Sequence, residues 1–583
     1  MKHLRAAGSG QRAAGSGQRA AGSGQRDVLV AVRSAGALHR LLDVLPVFDG
    51  DERVAVRFTL VPGSKFAVEA LAALDRSGVR TLAWEEALDR AHDLILTASP
   101  KGAPQVLSGP RVLLPHGAGF NKTVDGDGSP RLPSGLDPYY LLADGEPWAS
   151  LHALAHDEQV ARLTAYCPPA AARAAVVGDP TLDRLLDART RRDDYRAALG
   201  TGSRRLVVLT STWGPESLLR RRPGLPGELL GLLPHDAYQF ALVLHPNEYS
   251  RIGSFDLSRQ LAPALRAGLV LAGPYEEWAA VLVAADAVIT DHGSTALYAA
   301  ALGRAVVGAY DGGHELIPGS PMARLLARAP GLSDAVDAPD VLRAAEAQDV
   351  TDLADEAFAR PGLALPRLRT ELYRLMGLEP RTAPVAPRPL PPPAAVPWLP
   401  AAFAVRADVS GRRIAVARFS PNISGTVHHL AAEHPTADRR ALQSASVLWR
   451  RAGTASAAPG PTTRPASAAP AAWTAAGWTA AVQDEFPGCR TAAAVLTPDR
   501  VLLRHHTAGT LSVRVEPCRA SGRILRADPA AVVSAVHAWL APDATGSAPG
   551  EGDPPVTLVC DTGGLRVRVR LSAADGADLD HEL

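Results

Sequence analysis

Between residues 27 and 378 the chain alternates short, continuous apolar runs, many of them β-branched, with segments of helical spacing. A strand without a polar face must be covered on both sides, the condition of a parallel sheet between two layers of helices. In the first series strands are predicted at 27–33, 53–60, 79–82, 93–97 and 111–114, with helical patterns through 41–45 and 66–74. A second series places strands at 174–177, 205–210, 237–244, 269–272, 287–290 and 305–309, and a closing helix at 365–378. The fold class expected is α/β, with two Rossmann-like domains, 27–170 and 171–378, facing each other across a cleft. Ligands are then expected at the carboxyl ends of the strands.

The flanks read differently. Residues 5–25 are three perfect copies of Arg-Ala-Ala-Gly-Ser-Gly-Gln, with no apolar seam, so 1–26 is expected to be a disordered tail. The proline-rich run at 379–400 predicts an extended linker. Residues 401–480 are expected to be poorly structured and in part low-complexity, apart from a strand pair near 401–420. Residues 481–583 predict a small α+β module: a meander through 491–515, a helix at 529–540 and a hairpin over 556–571.

Sixty-one basic against sixty acidic side chains leave +1, so no global field attracts nucleic acid. The cysteines Cys167, Cys489, Cys518 and Cys560 form no metal-ligand spacing, and no metal and no cofactor is expected. Few thiols, polar repeats where a signal peptide would have its apolar region, and no long apolar run predict a cytoplasmic chain.

Chemistry is expected where predicted strands end in polar turns. His116, followed by Gly117 and Gly119 with Lys122 beyond, ends one strand; histidine can act as a general base near neutral pH, and glycine lets backbone approach a ligand. A turn histidine bonded to backbone is the plainer alternative. Thr290-Asp291-His292-Gly293-Ser294-Thr295 runs from a buried strand into an alanine-rich helix, where hydroxyls and free N–H groups could meet an anion, or Ser294 could merely cap the helix. His245-Pro246 ends a third strand, and Thr210-Ser211-Thr212-Trp213 a fourth.

At these segments the chain resembles the CDP-glycerol glycerophosphotransferase family of teichoic-acid polymerases and primases, within the two-domain glycosyltransferase-B folds. Pro115-His116-Gly117-Ala118-Gly119 looks like its His-Gly segment, Ser211-Thr212-Trp213 like its Pro-Thr-aromatic segment, and His245-Pro246 like its His-Pro pair. Thr290–Thr295 and the turn Gly178-Asp179-Pro180-Thr181-Leu182-Asp183 match two more, in the same order. Pro115 replaces the family's tryptophan, Ala118-Gly119 its Thr-Pro, and His292 an aromatic.

The resemblance implies transfer of an alditol phosphate, or of a glycosyl group, from a nucleotide-diphosphate donor to a hydroxyl acceptor, as in cell-wall polymer synthesis, with a CDP-linked donor favoured over a UDP-linked one. His116 would take the acceptor's proton. His245, Gly293, Ser294, Thr295, Thr212, Trp213 and Asp291 would hold the donor, with Lys122, Gly117 and Glu315 as further substrate contacts. Family members also dock on membranes at the inner face, and Arg220-Arg221-Arg222 is the nearest basic segment for such contact. Two alternatives remain at this stage: a relative of nucleotide-sugar 2-epimerases, using Asp291, Asp311 and Glu315, and a non-catalytic scaffold that binds nucleotide or partner.

Overall fold

The computed structural model describes residues 25–64, 67–124, 129, 132–395, 399–421, 426–453, 473–520, 522–541 and 548–583. The heptapeptide repeat up to residue 24 and the low-complexity stretch 454–472 lie outside the described residues. The chain divides into two compact units: one runs to Arg184 and takes in Glu356–Arg388, the other comprises Leu185–Asp355 and Pro389–Leu583.

The first unit is built on a parallel sheet. Its strands are β1 (Arg26–Val32), β2 (Val54–Leu60), β3 (Thr81–Leu82), β4 (Leu94–Thr97), β5 (Arg111–Leu113), β6 (Leu151–Leu154) and β7 (Ala174–Val176), in the order β3-β2-β1-β4-β5-β6-β7. β1 is central: Val28 pairs with Val56 on one side and Leu94 on the other, and Val28–Val32 are wholly buried. Burial on both faces explains why the run has no polar alternation. The helix Ala364–Met376 belongs to this unit, where its Tyr373 hydroxyl donates to Asp51 at 2.9 Å.

The second unit begins with a five-stranded parallel sheet of β8 (Arg205–Ser211), β9 (Tyr238–Leu244), β10 (Val270–Leu271), β11 (Ala287–Thr290) and β12 (Ala305–Gly308). Its order, β10-β9-β8-β11-β12, places a topological switch point between β8 and β11. Leu209, Leu242, Ile289 and Val307 pack one face against helices, among them Leu225–Leu232 and Ala338–Glu346.

The C-terminal region corrects the expectation of a small α+β module. Strands β13 (Ala402–Ser410), β14 (Arg413–Phe419), β15 (His429–Glu433), β16 (Val447–Arg451), β17 (Thr491–Thr497), β18 (Arg500–His505), β19 (Gly509–Val515), β20 (Val556–Thr562) and β21 (Leu565–Ala573) form one closed barrel. The strand pair, meander and hairpin are present, but the parallel pairings β14–β20, β15–β16 and β16–β17 join them into a ring. The reason lies inside. Alternate residues such as Val405, Ile414, Trp449, Ala493, Leu503, Val513, Leu558 and Val569 form a single cluster with the helix Pro529–Trp539, which is buried from Ala530 to Trp539. A helix apolar on every side must be enclosed, and a closed sheet encloses it.

The barrel is tied to the parallel sheet of its own unit. His235 N–H donates to the Arg418 carbonyl at 2.7 Å, and the buried Arg418 guanidinium bridges Asp236 at 2.6 Å and Asp528 at 2.7 Å. Among the described residues no helix is long and apolar enough to cross a membrane.

Candidate functional site

In the second unit the loops after β8, β9, β11 and β12 are braced to one another. Asp291, fully buried at the end of β11, accepts from three backbone amides: Thr212 N–H at 2.9 Å, Leu218 N–H at 2.8 Å and Gly293 N–H at 2.8 Å. One carboxylate therefore holds the β8 loop against the β11 loop, across the switch point. Beside it the Thr210 hydroxyl donates to the Thr290 hydroxyl at 2.7 Å, which donates to the Asp291 carbonyl at 3.0 Å.

His292 extends the bracing to the β12 loop, where its Nε2 meets Glu315 at 3.0 Å with both side chains buried. Gly312 makes this possible: its φ is +82°, and a Cβ there would stand 2.3 Å from the His292 ring. Glu216 accepts from Arg221 and from the Tyr310 hydroxyl; the Arg221 guanidinium above all holds its carboxyl below the usual carboxylate range.

After β9, His245 caps the helix Pro246–Ile252, its Nδ1 accepting from Asn247 N–H at 3.1 Å. That bond assigns the neutral ring's proton to Nε2, a donor suited to a phosphate oxygen. Its ring lies 6.2 Å from that of Trp213, centroid to centroid. Within this braced array Gly293, Ser294, Thr295, His245, Trp213 and Tyr310 are half-buried. Ser294 makes no side-chain capping bond to the helix Thr295–Ala301, so its hydroxyl is not consumed in that role.

In the first unit His116 follows β5, and Lys101 follows the adjacent β4. The His116 side chain reaches solvent, yet protein atoms surround it densely. That desolvation, reinforced by the charges of Lys101, Arg40 and Lys122, holds its pKa down to about 4, while a hydrogen bond with the Ala98 backbone works the other way. The imidazole is therefore neutral at pH 7 and able to accept a proton. Negative charge brought in by a phosphorylated substrate would raise its basicity.

The His116 loop is anchored by Arg40 on the helix Ala35–Leu42. The buried guanidinium donates to the Pro115 carbonyl at 3.0 Å, to Thr181 at 2.9 Å and to both Asp179 oxygens at 2.7 Å. The Gly178–Asp183 turn is thus fastened to the His-Gly loop.

No protein-family model and no curated protein matches the chain. Solved structures do. The wall teichoic acid polymerase TagF is similar at 12% identity and TM-score 0.44, covering 61% of this chain and 90% of that one. Anabaena HepE in complex with UDP-glucose is similar at 14% identity and TM-score 0.37, over 60% and 100%. UDP-GlcNAc 2-epimerase from Neisseria meningitidis follows at 12% identity and TM-score 0.38, over 60% and 99%.

The residues singled out in the sequence fall into two groups. Thr212, Asp291 and Glu315 are buried and engaged with protein, so they shape the loops. His245, Trp213, Gly293, Ser294 and Thr295 are half-buried in the second unit, and His116, Gly117 and Lys122 stand together in the first. The sequence reading missed Arg40, Lys101, Glu216 and Tyr310. An arginine inside an amphipathic helix carries no local mark of a site, whereas the scarcity of lysine was a usable sign for Lys101. Of the basic segment, Arg221 is bound to Glu216 and Arg222 reaches the Leu332 carbonyl, so those two cations are engaged within the protein.

Proposed function

We propose that the chain transfers a group from a nucleotide-diphosphate donor to a hydroxyl acceptor, the second unit holding the donor and the first supplying the base. The observation that carries this is the braced array at the β8/β11 switch point, which leaves backbone, two hydroxyls, a histidine Nε2–H and an indole accessible. Ser294, Thr295 and His245 would bind diphosphate oxygens and stabilise charge on the departing nucleotide; Trp213 would stack on the base. His116 Nε2 or Nδ1 would take the acceptor hydroxyl's proton as that oxygen attacks. The sequence resemblance favours a CDP-linked alditol phosphate: the acceptor oxygen bonds to the distal phosphorus, the bridging P–O bond breaks, and CMP leaves. The epimerase reading loses support because two of the three carboxylates it needs are buried and engaged: Asp291 with three amides and Glu315 with His292.

Calorimetry of the full chain with CMP, CDP, UDP, UDP-N-acetylglucosamine and CDP-glycerol tests this. Preference for cytidine nucleotides is expected, with Ser294→Ala and His245→Ala each weakening binding about tenfold, the loss of one charge-assisted hydrogen bond. His116→Ala should retain nucleotide binding and lose CMP release from CDP-glycerol. A uridine preference would redirect the reading to glycosyl transfer; no binding by the folded chain would overturn it.

A further inference from the structure

The barrel carries a second constellation that the transferase reading does not use. At one of its ends β15 and β17 begin, β18 finishes, and the enclosed helix reaches its last turn. His429 shares its face of β15 with Ala431, Thr491 its face of β17 with Ala493, and His505 its face of β18 with Leu503. Those three apolar residues belong to the barrel interior, so strand alternation sends His429, Thr491 and His505 inward as well. His537 arrives from the enclosed helix, and His428 stands just outside the start of β15.

We propose that this end of the barrel binds one divalent transition-metal ion of the zinc class through the imidazoles of His428, His429 and His537. One ring nitrogen from each lies within 4.8 Å of the others. Zn–N bonds of about 2.0–2.1 Å place tetrahedral ligand atoms about 3.3 Å apart, which small ring rotations reach. A neighbouring hydroxyl prepares the set. Thr491 Oγ1 lies 2.8 Å from His537 Nδ1, and such a bond fixes the ring's tautomer and orientation, as outer partners of metal-bound histidines do. The His428 and His429 Nδ1 atoms stand 2.9 Å apart; two lone pairs cannot face each other there, so one ring must donate a proton or both must share a cation. Three neutral imidazoles suit zinc, nickel, copper or cobalt over magnesium or calcium, and leave a fourth position to water or an added ligand. This site lies outside the array assigned to the nucleotide and stands or falls apart from it.

The test uses the full chain, stripped with chelator and dialysed, then titrated with Zn²⁺ in a calorimeter and with Co²⁺ by visible absorption. One ion per chain and a tetrahedral cobalt spectrum are expected. His428→Ala, which removes an exposed side chain and spares the core, and His537→Gln should each lower affinity at least tenfold; Thr491→Val should lower it less. Circular dichroism establishes that each variant is folded. Absence of stoichiometric uptake by the folded chain, or uptake unchanged in folded His428→Ala and His537→Gln, overturns the proposal.

Discussion

Asp291 concentrates the second unit's organisation in one side chain. Its two oxygens receive amides from positions 212, 218 and 293, so Asp291→Asn turns one acceptor into a donor facing donors. A loss of about 1–3 kcal/mol in denaturant unfolding is expected, the cost of leaving a buried amide unmet, together with weakened nucleotide binding. His152 makes a different residue-scale prediction. It is buried on β6, its Nε2 has no partner among the described residues, and desolvation depresses its pKa from 6.5 to about 4. Above pH 6.5 it is neutral in both folded and unfolded chains, and its folded environment imposes no pH-dependent penalty. As pH falls from 6.5 towards 4 the unfolded chain takes up a proton that the folded one refuses, so stability declines, by up to about 3 kcal/mol. Melting temperatures of the wild type should fall over that window, and His152→Leu should flatten the decline; equal slopes in both proteins would refute this.

At the scale of elements, the helix Ala35–Leu42 matters because Arg40 fastens the His-Gly loop to the Gly178–Asp183 turn. The Arg40–Asp179 pair is buried on both sides, so removing one partner strands the other's charge. Arg40→Met is expected to cost about 3–5 kcal/mol in denaturant unfolding. It should also raise the His116 pKa, followed by the imidazole's NMR titration, because a nearby positive charge disappears. Arg40→Lys should rescue the charge but not the two-pronged geometry. None of this was legible locally: the helix's apolar spacing shows where it forms, while Asp179 is distant in sequence. The parallel strands were legible because burial on both faces leaves each an unbroken apolar run. The barrel was not. Its strands alternate as any half-buried strand does, and the pairings that close it, such as Arg413 with Val559, join segments on either side of a low-complexity stretch. The neglected clue was Pro529–Trp539, whose lack of a polar face already required an enclosure. The site shows the same division: loops ending strands were readable from glycine and hydroxyl runs, but which side chains reach the surface depends on the bracing by Asp291 and His292.

At the scale of the whole molecule, the second unit joins two folds of different kind through a few charges. Arg418 leaves β14 with its side chain 2% exposed and meets Asp236, from the loop entering β9, and Asp528, which caps the helix inside the barrel. Arg451 adds a contact to the same Asp528 at 3.0 Å. Beside them Gly563, at φ +57°, brings the β20–β21 hairpin so near the Asp236 carbonyl that a Cβ would lie 2.1 Å from it. A charge so deep is stabilising only while its partners remain, because in low dielectric an unpaired ion is far costlier than a paired one. The wild-type parallel sheet and barrel of this unit should therefore unfold in one calorimetric transition. Arg418→Met leaves the buried Asp236 without its guanidinium, while Asp528 keeps Arg451, and should cost about 3–5 kcal/mol. Because the damage falls on the junction and at the start of the enclosed helix, the transition should split, the barrel melting first. The double replacement Arg418→Met with Asp236→Asn should recover part of the loss, since it removes the stranded charge. A single transition in Arg418→Met, displaced by less than 1 °C or so, would mean that the apolar contacts hold the junction and that the buried charges are incidental to it.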